Sequence, residues 1–395
     1  MSAHVRHFRL ILDVVTPLAI GTGGPDLLPE FDYLASEGAL LVYDLTSGPR
    51  DGNGRLIGMP EPVYRLVFRG SSAPGPIRPV LKDLGSAPYI PGSAVKGALH
   101  TAVAAVLLER ERSAGRPVKK DELAPSARFA GQPIERRLFG AQPRASGLRA
   151  LRISDLRPLE AVRLTLTAVR TFGQEDGSLA ALSERVAAEA IAPGARFSGS
   201  LTIDDALLRL DQPRFEGVPN RTVIAEVVAL AREDGLRRAA AERAYFASAG
   251  ASVLTAFYDG LVAAASAASE TTFLVQLGWG AGWDSKSFGP ALFASPDWPS
   301  IRAEFFAGRV ERGRPVERGR PAQRGPRRHN SCAERLPRHA EAGRTKRWRG
   351  AAAGVGAGHT RCARRAASGT SLFACHVGRR CLRRGRTSSR RRRGS

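Results

Sequence analysis

The feature that most limits what this chain can fold into is a break in composition near residue 307. Through Ala307 there are 34 Lys and Arg against 33 Asp and Glu, a net charge of +1. From Gly308 to Ser395 there are 26 against 4, a net of +22, so nearly all of the formal charge of +23 lies in the last 88 residues. Leu, Ile, Val, Phe, Met, Trp and Tyr supply only nine of those 88. So little apolar surface does not repay the entropy of ordering, and 308–395 is expected to be a disordered Arg-rich tail. Two origins compete for it. One is an Arg/Gly-rich arm that binds polynucleotide phosphates. The other, which is preferred, is a frame shift near residues 300–310, because out-of-frame reading of GC-rich coding DNA yields Arg, Ala, Gly and Pro in abundance. No function is assigned to the tail.

All four cysteines, Cys332, Cys362, Cys375 and Cys381, also fall there, at separations of 30, 13 and 6. Paired CxxC spacing is absent, so no zinc site is expected. The preceding residues have no thiol and read as a metal-free, cofactor-free protein of a reducing compartment. The opening MSAHVRHFRLILDVV alternates and carries Arg and Asp, with no run long enough for a signal peptide or membrane span. The expectation is a cytoplasmic protein with no membrane partner.

Within the body, Phe8, Leu10, Leu12 and Val14 alternate with Arg9, Ile11, Asp13 and Val15, which predicts a strand with one apolar face. Thr16-Pro17 ends it, and the turn Gly21-Thr22-Gly23-Gly24 follows. Segments 31–35 and 39–44 read as a hairpin, and 46–85, rich in Gly, Pro and Arg, as an insertion or long loop. Ser93 is placed as the cap of a helix running to about residue 112, with Val95, Leu99, Val103, Val106 and Leu107 on one face. Strands are predicted near 148–156, 162–171, 186–192, 197–203 and 272–277. Helices are predicted near 221–230, 235–246 and 252–265. Two similar stretches of mixed strands and helices indicate an α+β protein.

Two motifs carry chemistry. In Pro88–Val103, PYIPGSAVKGALHTAV, the turn at Pro91-Gly92 opens a helix whose first amides, with Ser93 and Lys96, can hold a phosphate. On spacing alone an ordinary capped helix explains the same residues. In Leu277–Ser287, LGWGAGWDSKS, Gly278, Gly280 and Gly282 lack Cβ atoms, and Lys286 with Ser287 closes the loop. Exposed amides there can cradle phosphates, and Trp279 and Trp283 offer faces to bases. The bland alternative is a turn with two core tryptophans. A nucleotide-binding P-loop fails, because reading it from Gly280 requires glycine where Ser285 stands.

PYIPGSAVKGALHTAV resembles the YIPGSSLKGALR signature of RAMP-superfamily CRISPR proteins. TPLAIGTG at Thr16–Gly23, LFG at Leu138–Gly140, ISD at Ile153–Asp155, and EAIAPGARFSGSLTID at Glu189–Asp204 resemble further family elements in family order. The glycine-rich loop resembles the family's LGWGTGWLSKT. The combination is most similar to the fifth-subunit family of type III-A Csm complexes, with type III-B relatives sharing the motifs. His100 stands where the family has Arg.

The resemblance implies two ferredoxin-like (RRM-like) domains with insertions, over 1–160 and 161–307. It implies a non-catalytic RNA-binding role toward the 3′ part of the crRNA, in its maturation and in antiviral defence. Other effector subunits, and host nucleases, are the implied partners. RNA-binding residues implied are Gly21, Thr22, Gly23, Gly92, Ser93, Lys96, His100, Gly278, Gly280, Gly282, Lys286 and Ser287, with no catalytic or metal-binding residue. The alternative is a RAMP-family endoribonuclease, for which His4, His7 and His100 are the available imidazoles.

Overall fold

The computed structural model describes residues 5–44, 46–68, 74–127, 129–142, 146–169, 172–175, 178–181, 186–209, 221–279, 281, 287–305 and 372–379. An antiparallel sheet, a mixed sheet, a two-stranded ribbon of 172–175 with 178–181, and a set of helices make up the described fold. The alternating segment at the start forms β1 (Val5–Val14), with Leu10, Leu12 and Val14 buried and His7 and Arg9 exposed. It pairs antiparallel with β12 (Arg196–Asp204), from Val5 opposite Asp204 to Asp13 opposite Arg196. Phe197, Leu201 and Ile203 therefore join the apolar face of β1, as the two-residue period of a pleated strand requires.

Between β1 and β12 in sequence come α1 (Gly92–Ser113) and β6 (Leu151–Ile153). β6 pairs with the far side of β12, which gives a split β-α-β arrangement. Val95, Leu99 and Val103 of α1 share the core with Leu10, Leu12 and Phe197. Each such leucine contributes about 1.5–3 kcal/mol by leaving water. α4 (Val227–Ser248) adds Val227 and Leu230 to the same core.

α4 runs unbroken where the sequence predicts two helices, near 221–230 and 235–246. Gly235 is not a turn residue there. A Cβ on it would stand 2.5 Å from the Leu274 carbonyl oxygen, so the glycine lets the helix lie against β13 (Thr272–Gln276). Asp234 is buried and paired with Arg237 and Arg238 on the next turn.

The second sheet has the order β2-β3-β4-β8-β11-β5, formed by β2 (Tyr33–Ser36), β3 (Ala39–Val42), β4 (Tyr64–Val67), β5 (Ile77–Arg78), β8 (Leu164–Val169) and β11 (Val186–Ile191). The segment 46–85 is thus not one long loop, since it supplies β4 and β5. Pairs β1–β12 and β4–β8 both cross the expected boundary at residue 160, so the two halves of the chain build the sheets jointly.

A further correction concerns the tail. Leu372–Arg379 forms β14, which lies between β13 and β1 and is antiparallel to both. The expectation of disorder throughout 308–395 fails at this segment. LFACHV is the stretch of the tail with consecutive apolar and β-forming residues, and it occupies the slot beside β1. Among the described residues no helix is long and apolar enough to cross a membrane.

Candidate nucleic-acid interface

β1 ends where the Gly194 N–H donates to the Val14 carbonyl at 2.8 Å. Thr16-Pro17 then redirects the chain into the second sheet, where Leu18 bridges Ile191. The exposed turn Gly21–Gly24 follows. Gly23 has a φ of 77°, and the Gly24 N–H donates to Thr22 Oγ1 at 3.1 Å, a local side-chain turn of the kind Thr favours.

The glycine-rich loop begins against this same stretch. Trp279 donates its backbone N–H to the Ala19 carbonyl at 2.6 Å. Gly278 has a φ of 76°, and a Cβ there would stand 2.4 Å from that carbonyl oxygen. Only a residue without a side chain satisfies both the left-handed backbone and the close approach.

The first turns of α1 form the third wall. Gly21, Thr22, Gly23, Ser93, His100 and Gly278 all line one cleft of about 740 Å³, together with Asp26, Arg78, Gly97, Thr101, Gln276 and Trp279. Six residues chosen from sequence are therefore brought together.

Three others are not. Gly92 is buried beneath the helix start, where a Cβ would meet the Ile153 carbonyl oxygen at 2.3 Å. Its N–H donates to Asp155 Oδ1 at 2.9 Å. Ser93 is thus not the helix cap, and the carboxylate of the ISD segment stands at the helix N-terminus, where a phosphate was expected. Lys96 points away from the cleft and donates from Nζ to the Leu151 carbonyl at 2.8 Å, with its pKa lowered by burial. Ser287 opens the turn into α6 (Gly289–Phe293), its Oγ accepting from the Gly289 N–H. Gly280, Gly282 and Lys286, like Trp283, lie outside the described residues.

His100 is 21% exposed and sits edge-on to Phe139, with ring centroids 4.4 Å apart and Nε2 3.7 Å from Glu135 Oε1. Burial holds its pKa below the usual histidine value, Glu135 opposes this, and Lys96 lowers it further.

Sequence reasoning missed Arg78, because β5 is only two residues long and shows no period. Its guanidinium carbon lies 4.3 Å from the centre of the Trp279 ring, and its Nε is 3.7 Å from Asp26 Oδ1. The Trp279 ring also packs against Ala19, Ala188 and Ala190. It therefore supports Arg78 instead of presenting a bare face to a base.

Glu189, from the strand pair singled out in the sequence, is fully buried in the second sheet. It accepts from Tyr64 Oη at 2.5 Å, from the Val80 N–H at 2.8 Å and from Lys82 Nζ. Burial and the neighbouring carboxylate raise the Tyr64 pKa, and burial lowers that of Lys82 against the pull of Glu189. This cluster ties β4, β11 and the segment Val80–Lys82 together. Among the described residues no group of three His, Cys, Asp or Glu side chains is placed to hold a metal ion.

The sequence profile of the RAMP superfamily matches residues 11–283. This chain belongs to the RAMP superfamily. The match spans the Gly21–Gly24 turn, the helix opening at Gly92 and the first part of the glycine-rich loop, so the walls of the cleft are RAMP sequence. Among solved structures, the RAMP chain is similar to one from the cryo-EM structure of a Csm-crRNA-target RNA ternary complex in a type III-A CRISPR-Cas system. The two are 22% identical with a TM-score of 0.58, over 80% of this chain and 95% of that one. The crystal structure of T. onnurineus Csm5 is 21% identical with a TM-score of 0.49, over 74% and 96%. No curated protein is significantly similar in sequence to this RAMP chain.

Proposed function

We propose that this RAMP protein is a non-catalytic, RNA-binding subunit of a type III-A CRISPR (Csm) interference complex. In this reading it holds the 3′ part of the crRNA in the cleft and supports crRNA maturation and complex assembly, with the other effector subunits, and host nucleases, as partners. The split β-α-β sheet is then one ferredoxin-like unit of the RAMP architecture.

The observation that carries the reading is convergence. Two glycine turns distant in sequence and the opening of α1 meet on one cleft, with exposed backbone that a sugar-phosphate chain can approach closely and a guanidinium beside it. That the similar solved chain comes from a complex containing crRNA and target RNA supports the ligand class. The absence of a role in cutting RNA is supported by the separation of two imidazoles. His7 lies on the exposed face of β1 against Thr202 Oγ1, whereas His100 lines the cleft from α1, so these two described imidazoles do not form an acid/base pair across one substrate; His4 lies outside the described residues.

The test must discriminate the cleft from the Arg-rich tail, whose charge of +22 attracts any polyanion non-specifically. Full-length protein would be photocrosslinked to single-stranded RNA carrying 4-thiouridine, and the attachment sites mapped by mass spectrometry. Crosslinks in 18–24 and 276–279 are expected. Crosslinks confined to 308–395 would contradict the proposal.

A further inference from the structure

The cleft contains one arrangement that neither the motifs nor the family resemblance pointed to. Of its described lining residues, Arg78 is the only Lys or Arg. Its position is over-determined. β5 pairs with β11 through Arg78 opposite Ala188, and the side-chain stem passes within 3.9 Å of where a Cβ on Gly21 would stand. The guanidinium rests on the Trp279 ring at 4.3 Å. Stacking of this kind fixes the plane of the fork while leaving its N–H edge available.

That edge faces Asp26, at 3.7 Å, and the two side chains are 39% and 37% exposed. A pair that long and that open to water is weak. A phosphodiester oxygen entering the cleft can make shorter, charge-assisted, two-pronged hydrogen bonds to the same fork. It would replace Asp26 at little cost.

Resting on the reading of the cleft as an RNA site, we propose that Arg78 is its phosphodiester anchor and that Asp26 is a built-in competitor, which neutralises the guanidinium until RNA displaces it. Trp279 is the positioning residue that presents the fork. The arrangement also explains how a cleft whose described lining carries so little net charge accepts a polyanion. One oriented cation is exchanged from a carboxylate to a phosphate, in place of a broad basic field.

The two partners make opposite predictions, which protects the test from simple misfolding. Full-length wild type, Arg78→Ala and Asp26→Asn would each be titrated with 4-thiouridine-containing single-stranded RNA. The readout is the yield of crosslinked peptide spanning 276–279, which follows cleft occupancy and not binding to the tail. Arg78→Ala is expected to raise the half-saturating RNA concentration about ten-fold or more, the loss of hydrogen bonds to a charged group. It should also lower the salt dependence of that occupancy by the share of one phosphate contact. Asp26→Asn is expected to lower the half-saturating concentration a few-fold, a gain that a damaged fold does not produce. Wild-type occupancy retained in Arg78→Ala, or no tightening in Asp26→Asn, would overturn the anchor and its competitor while leaving the RNA site standing. If the wild type gave no crosslink in 276–279, the cleft reading itself would fall, and this inference with it.

Discussion

At the scale of single residues, His100 gives the cleft a pH signature. Its Nε2 is buried without a hydrogen-bond partner, and burial lowers its folded pKa below 6.5. A depressed folded pKa means that the unfolded chain takes up the proton first. The associated stability is complete above about pH 6.5 and is lost as pH falls toward the folded value. Thermal unfolding between about pH 7 and pH 5 should therefore show a steeper fall for wild type than for His100→Gln, whose amide does not titrate in this range. Parallel curves would show that the imidazole environment is not as described. The residues legible in sequence were those whose identity is forced by the backbone: Gly278 by its positive φ and its contact with Ala19, and Gly23 by its positive φ in the exposed turn. Lys96 and Ser287 were misread because spacing places a residue on an element without saying which way its side chain reaches. Lys96 finds the Leu151 carbonyl below the helix, a partner more than fifty residues away that no local pattern announces.

Among the elements, β14 is the least expected and the easiest to test. Its backbone pairs with β1 over Phe8–Val14 on one side and with β13 over Thr272–Gln276 on the other. Ending the chain at Phe305 removes it and leaves both neighbours with unpaired ladder groups on facing edges. The truncated protein should unfold several degrees lower than full length by calorimetry and should aggregate more readily. An unchanged midpoint would show that β14 adds nothing to the sheet. β1 was readable because its buried positions alternate, and α1 because its apolar run is long, with Ala102–Leu108 buried on every side. β4 and β5 were not, since four and two residues flanked by Gly and Pro carry too short a pattern. The sequence reads as two helices there, near 221–230 and 235–246, whereas the reason for Gly235 is tertiary, the passage of β13 against one continuous helix.

For the whole molecule, the two sheets are not separate lobes. β12 and β8 follow residue 160 yet pair with β1 and β4 before it, and the cleft opens where the chain crosses from one sheet to the other at Thr16–Gly24. A body of net charge near zero joined to a tail of +22 means that total RNA affinity says little about the cleft, since so concentrated a charge attracts any polyanion at low salt. Where the RNA lies separates a cleft site from attraction to the tail. The most direct measurement is a cryo-EM map of the full-length protein in its RNA-bound effector complex. Continuous sugar-phosphate density is expected between the Gly21–Gly24 turn and Gly278, with a phosphate against Arg78. RNA density lying only on the exposed face of β1 and β12, or only along the tail, with the cleft filled by solvent, would contradict a cleft site.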